Sequence, residues 1–395
     1  MRKLLFIGLM ILANQTWAQF AKVQQTVAGI NQDSLITCVK QLTGLLPIEG
    51  QTVLNSRVSG TLGNTLTANF IKRKLTQWGV AFDTINFGTT GTNIIAKIPG
   101  RRTDKVILIG AHYDAVGSST NFTFFYPGAD DNASGTAAVL EAVRVCAQQQ
   151  FPVSLEFAFW DEEEQGLLGS KASVLEYMHK LAAYINLDMI AWSPNNDSVA
   201  EIHTTTSGYS VELANKVVNI ASLYAIPLNP VIMNPGDPNT DHGAFWQYNL
   251  TAVGINEIYN GPKMNPHWHR LTDSLSTFNL KYFYDMSQFA TTTFLHLAMD
   301  TSTLIGVNDL QVNNNMLAVY PNPFTSTIQL DVNSHFKVTS AKLVNMLGEE
   351  IPTLLNAAHQ LILTTPAAAG IYFIDVTLQQ GNSTSTLRKK VVLRN

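Results

Sequence analysis

An apolar run that stops on four consecutive acids constrains this chain more than any other stretch. Val153 to Trp160 reads VSLEFAFW and is followed at once by Asp161, Glu162, Glu163 and Glu164. With only Ser154 and Glu156 as polar interruptions, the run predicts a largely buried strand. Four adjacent carboxylates at its end repel one another. They are tolerated together when some face water and others meet cations or protons. An isolated acidic run is ordinarily a solvated turn between strand and helix, and the alternative is a bound metal ion. The rest of the chain decides between these readings.

At 395 residues the chain exceeds one typical core, which predicts two domains. A net charge of -4, with no lysine or arginine stripe before the last few residues, argues against a nucleic-acid partner. At the start, Arg2 and Lys3 precede an apolar segment from Leu4 to Ala13 and a polar stretch ending at Ala18. This predicts a secretory signal peptide over 1–18. The segment is too short to cross a bilayer, so no stable membrane insertion is expected. Cys38 and Cys146 are the only cysteines, so no disulfide framework supports the fold. Both fall on helical patterns, where buried free thiols are the default.

From Gln19 to about Gly79 the pattern is helical, with Leu66, Phe70, Ile71, Leu75 and Trp78 on one face of a helix that Gly79 closes. Strands are predicted over 93–98 and 105–110, then a loop rich in Gly, Asp and Asn over 126–135. A helix over 136–150, the acidic-ended strand, a helix over 166–180 and a strand ending near Asp188 follow. Alternating strands and helices predict an α/β sheet covered on both faces. In such sheets ligands bind where strands run out into loops.

The chemically distinctive residues lie at those ends. His112 and Asp114 follow KVILIG, Asp131 lies in GADDNASG, Glu163 and Glu164 follow the apolar run, Asp188 follows YINL, and His269 lies in NPHWHRLTDS. Any one of them alone reads as a structural or surface residue. Two histidines and three carboxylates gathered at successive strand ends suit Zn²⁺ in a mixed N/O site, with one carboxylate bridging a co-catalytic pair.

The blocks GAHYDAVG, PGADDNASGTAAVLE, WDEEEQGLLGS, YINLDMI and PHWHRLTDS occur in an order and spacing that resembles the secreted double-zinc aminopeptidases of peptidase clan MH. The resemblance covers about residues 19–303 and implies a mixed β-sheet sandwiched by helices. It implies two Zn²⁺ per chain, one held by His112 and Asp188 and the other by Glu164 and His269, with Asp131 bridging. Glu163 is then the general base and Asp114 orients His112. A cis peptide between Asp131 and Asn132 and peptide substrates are also implied. Asp161 is expected to hydrogen-bond the turn and Glu162 to face solvent. His242 is read as structural or pocket-lining, and His179, His203, His296, His335 and His359 as helix or surface residues. Phe245, Trp246 and Tyr259 are candidates to line the pocket. One departure stands out: Trp268 precedes His269 where the family commonly has Tyr. Glutaminyl cyclases, which share the fold with a single zinc, typically carry Trp there, so cyclisation of N-terminal glutamine is the alternative function.

Beyond about Thr303 the composition changes. Residues 304–316 predict a polar linker, and 317–395 a small β-sandwich of short alternating strands. YPNPF, NMLGEEI, GIYFIDV and LRKKVV resemble the C-terminal sorting domain of type IX secretion. That resemblance implies type IX secretion machinery as a partner and a destination outside the cell or at its surface, reached through the periplasm and outer membrane.

Overall fold

The computed structural model describes residues 19–116, 127–206, 208–300, 317–332, 336–345, 349–380 and 383–394. The predicted signal segment and linker lie outside them. The chain divides into two compact units. The first comprises 1–171, 181–246 and 251–305, and the second 172–180, 247–250 and 306–395.

The first unit begins with helices α1 (19–27), α2 (Gln32–Leu42) and α3 (Leu62–Gln77). Asn31 and Thr61 start α2 and α3 by accepting backbone N–H bonds from Ser34 and Asn64. Gly79, at φ 69°, ends the α3 segment as expected. The predicted helical run is interrupted, because residues 43–61 contain turns and extended backbone. Strands β1 (Ala81–Phe87), β2 (Gly91–Ile98) and β3 (Arg102–His112) follow, then α4 (Gly135–Cys146), β4 (Val153–Trp160), α5 (Leu168–Tyr177), whose residues from 172 onward are grouped with the second unit, and β5 (Leu181–Leu187). The remaining elements are β6 (Val199–His203), α6 (Tyr209–Leu223), β7 (Asn229–Met233), α7 (Asp241–Trp246), β8 (Ala252–Asn256) and α8 (Leu280–Met299).

Eight strands form one mixed sheet in the order β1-β2-β4-β3-β5-β8-β6-β7. Its centre, β4-β3-β5-β8, is parallel. All eight residues of β4 are buried, as an apolar strand between two neighbours requires. Its period-two alternation serves two layers. Leu155, Phe157 and Phe159 join the core with α4 and α8, where Phe157 meets Phe294 edge-on at 5.0 Å between centroids. Trp160 turns the other way, to Tyr184 and to Phe245 of α7. Helices therefore cover both faces of the sheet.

The second unit holds two four-stranded antiparallel sheets. One is β13-β14-β10-β9, from Thr353–Leu355, Gln360–Leu363, Thr327–Val332 and Leu317–Tyr320. The other is β12-β11-β15-β16, from Glu350–Ile351, Lys337–Val344, Gly370–Gln380 and Ser383–Leu393. Buried Leu330, Leu343, Ile374, Val376 and Val391 supply the apolar faces that the alternating pattern predicts.

Candidate active site

The site forms where the parallel strands end. His112 is the last residue of β3 and pairs in register with Trp160, the last of β4. The acidic run therefore leaves the sheet beside His112. Asp188 follows β5 directly. Asp131 lies in the 129–134 turn that leads into α4, and the Asp131–Asn132 peptide is cis. Asn132 fixes that turn, donating to the Leu187 carbonyl and accepting from Gly135 N, each at 2.9 Å. His269 comes from the long connection between β8 and α8.

These side chains converge. His112 Nε2 lies 3.3 Å from Asp131 Oδ1 and 3.5 Å from Asp188 Oδ1. His269 Nε2 lies 3.1 Å from both Asp131 Oδ2 and Glu164 Oε2. Three overlapping sets thus have their ligand atoms within 4.8 Å of one another: His112, Asp131 and Asp188; Asp131, Glu164 and His269; His112, Glu163 and Glu164.

A second layer of acids holds this constellation by its backbone. Asp114 accepts from Glu163 N and Glu164 N, each at 3.2 Å, and its Oδ1 lies 3.4 Å from His112 Nδ1 without hydrogen-bond alignment. Asp273 accepts from Asp130 N and Asp131 N at 2.9 and 3.1 Å. Asp130 accepts from Ile190 N, Ala191 N and Asn265 Nδ2. Glu257 accepts from Ala191 N and Trp192 N. Burial, together with the adjacent Asp130, raises Glu257 well above the glutamate range.

Electrostatics separate the two glutamates from Asp131. Burial, opposed by His112 and reinforced by Asp188 and Asp241, lifts Glu163 well above its ordinary range. Glu164 rises to about 7 through burial and the neighbouring Asp131. For Asp131, burial acts upward but is outweighed by the facing imidazoles of His112 and His269, which hold it well below the usual range.

The donor set fits a metal. Both ring nitrogens of His112 and Oδ1 of Asp188 are buried without a hydrogen-bond partner. Such orphaned groups at a convergence of carboxylates are costly unless a cation satisfies them. All seven residues singled out in the sequence meet here.

Other expectations change. Glu162 is buried, not solvent-facing: its Oε1 accepts from Ser59 Oγ and Thr90 Oγ1 at 3.0 and 2.6 Å. Asp161 does bind the turn, accepting from Asn64 Nδ2, Glu162 N and Thr92 N. His203 is buried on β6 and pairs with Glu201 at 3.0 Å, because this strand lies between β8 and β7. His242 is buried and structural, bonded to Thr240 and to the Asp237 carbonyl. Tyr259 reaches the site, donating to Asp188 Oδ2 at 3.0 Å. Phe245 packs away from it in the aromatic layer. Arg57 was not singled out in the sequence, yet it is fully buried and bonded to the Pro127 and Gly128 carbonyls that lead into the 129–134 turn. The two cysteines are free thiols.

Residues 93–293 match peptidase family M28. The chain belongs to that family. M28 peptidases are zinc-dependent, in keeping with the donor set. Residues 318–394 match the secretion system C-terminal sorting domain, which directs the chain to the cell surface or the extracellular space. No helix among the described residues is long and apolar enough to cross a membrane. Leucine aminopeptidase 1 of Paracoccidioides brasiliensis strain Pb03 is 30% identical over 258 residues, covering 60% of this M28 chain and 63% of its own length. The chain spans just under two thirds of the curated relatives it first matches. Among solved structures, the Legionella pneumophila LapA aminopeptidase shares the fold with a TM-score of 0.62 and 21% identity, over 71% of this chain and 74% of that one. Porphyromonas gingivalis glutaminyl cyclase shares it with a TM-score of 0.55 and 20% identity, over 67% and 98%.

Proposed function

We propose that this chain is a secreted metallo-aminopeptidase that hydrolyses N-terminal residues from peptides at a co-catalytic zinc pair. The observation that carries this reading is the position of Asp131, whose two oxygens face two different histidines, His112 and His269. In it, His112 and Asp188 would hold one ion and Glu164 and His269 the other, with Asp131 able to serve both. Zinc bound there supplies a Lewis acid for the scissile carbonyl and makes a nearby water more acidic. The protein's own work is proton transfer and positioning. Glu163, buried and raised in pKa, takes the proton of the attacking water and returns it to the leaving amine. Asp114 fixes Glu163 and Glu164 through their backbone amides and faces His112 from behind. In this reading residues 19–303 carry the chemistry, and residues 317–395 are the export label, handed on by type IX secretion machinery.

Trp268 favours a second reading. Its ring stacks on His269 at 4.0 Å between centroids, 28° from parallel, in the place where glutaminyl cyclases carry Trp. Metal analysis of purified protein, combined with assays on leucyl and glutaminyl substrates, separates the two. Two ions per chain with amine release support the aminopeptidase. One ion with pyroglutamate formation supports the cyclase.

A further inference from the structure

The cavity over the site measures about 260 Å³ and is lined by Asp131, Glu163, Glu164, Asp188 and His269. Asp237 also lines it, a carboxylate that neither the ligand set nor the proton-transfer role uses. This acid sits on the loop between β7 and α7, and its backbone is held from both sides by buried histidines. Asp237 N donates to His203 Nδ1 at 2.9 Å. His242 Nε2 lies 2.8 Å from the Asp237 carbonyl and donates to it. Because Nδ1 of His203 accepts, its Nε2 carries the proton and donates to Glu201 Oε2 at 3.0 Å. Burial, with His203 nearby, lowers His242 to about 3 and keeps it neutral.

The loop is tight as well as clamped. A Cβ on Gly236 would come within 2.7 Å of His203 Cβ and Thr204 N. Asp237 Oδ1 accepts from Asn239 N and Nδ2 at 2.9 and 2.8 Å, whereas Oδ2 has no hydrogen-bond partner among the described residues. The same Glu201 carboxylate oxygen also accepts from Tyr259 N, and Tyr259 donates to Asp188. A continuous hydrogen-bonded path therefore fixes Asp237 relative to Asp188.

We propose that Asp237 is a specificity-determining residue that binds a substrate ammonium group, through the oxygen its own loop leaves open. This rests on the aminopeptidase reading. Substrates of such an enzyme share two features, a scissile bond and a free α-amine, and a carboxylate lining the cavity recognises the amine by a charge-assisted hydrogen bond. A lysine or arginine side chain at the substrate's first residue offers the same chemistry.

The test uses the full chain loaded with zinc and the Asp237→Asn variant, which keeps the Oδ1 acceptor of the loop and removes only the charge. Steady-state kinetics are measured on leucyl and methionyl p-nitroanilides and on lysyl and arginyl p-nitroanilides, with zinc content and thermal melting in parallel. A rise in KM of about tenfold or more with kcat little changed is expected. If it appears with all four substrates, the anchored group is the α-ammonium. If it appears only with lysyl and arginyl substrates, the anchored group is the side-chain cation. Unchanged kinetics with both classes overturn the proposal, as does loss of zinc or a lowered melting temperature, which would make Asp237 a support of the fold or metal site. Wild-type protein that hydrolyses none of the four, yet converts glutaminyl peptides, removes the aminopeptidase reading itself.

Discussion

The Arg57 guanidinium donates from Nη2 to the carbonyl of Gly128 at 2.7 Å, three residues ahead of Asp131. Its other bonds go to the Tyr113, Leu42 and Pro127 carbonyls. One buried cation therefore ties the end of β3, the end of α2 and the approach to the 129–134 turn together. Burial, offset by Asp273, Asp114, Asp131 and Glu164, lowers its pKa only to about 10, so it stays charged at neutral pH.

Arg57→Lys should destabilise the protein by about 3 kcal/mol, since an ammonium cannot reproduce this planar fork and leaves buried carbonyls unpaired. Urea denaturation of both proteins measures the difference. A change below about 0.5 kcal/mol would show that water or main-chain adjustment replaces the fork.

How much of this was legible in the sequence follows from where each residue's partners lie. His112 and Asp188 end apolar runs, and Glu163 and Glu164 follow one within four residues, so local pattern alone placed them at strand ends. Arg57 gave no such signal, because its partners at 42, 113, 127 and 128 are brought together only by the fold. Glu162 misled for the same reason: the hydroxyls of Ser59 and Thr90 that justify its burial are far away in sequence. β1 escaped prediction as an edge strand, paired only to β2 and with no fully buried residue. His203 carried no sign of burial in its local sequence, since the strands β7 and β8 that flank β6, and the Asp237 amide that donates to it, lie elsewhere in the chain.

Glu163→Gln should retain bound metal while turnover falls by at least about a hundredfold, because only the proton-transfer group is lost. The measurement pairs metal content with kcat on an aminoacyl p-nitroanilide. Loss of metal in step with activity would exchange the roles of Glu163 and Glu164, which the set of His112, Glu163 and Glu164 leaves sterically open.

Asp131→Ala should empty both metal positions, since each of its oxygens faces one of the two histidines. Metal content after dialysis reports this directly. One ion retained at full occupancy would rule out the bridge and favour the single-zinc arrangement of the cyclase reading.

Removing everything after Thr303 should leave hydrolysis intact and abolish export. The residues proposed for chemistry all fall between 112 and 269, inside the stretch that matches family M28, whereas the sorting-domain match begins at 318. The central parallel strands are paired entirely with one another and with β2 and β6, so no hydrogen bond of that sheet is contributed by the removed segment. The truncated protein should therefore fold, bind zinc and cleave a leucyl amide within about twofold of the full chain's rate, a tolerance of about 0.4 kcal/mol. In a host with type IX secretion it should collect in the periplasm, read by fractionation and immunoblot. An inactive or metal-free truncation would assign the second unit a part in supporting the site. Normal export of the truncation would remove the address-label reading while leaving the peptidase reading untouched.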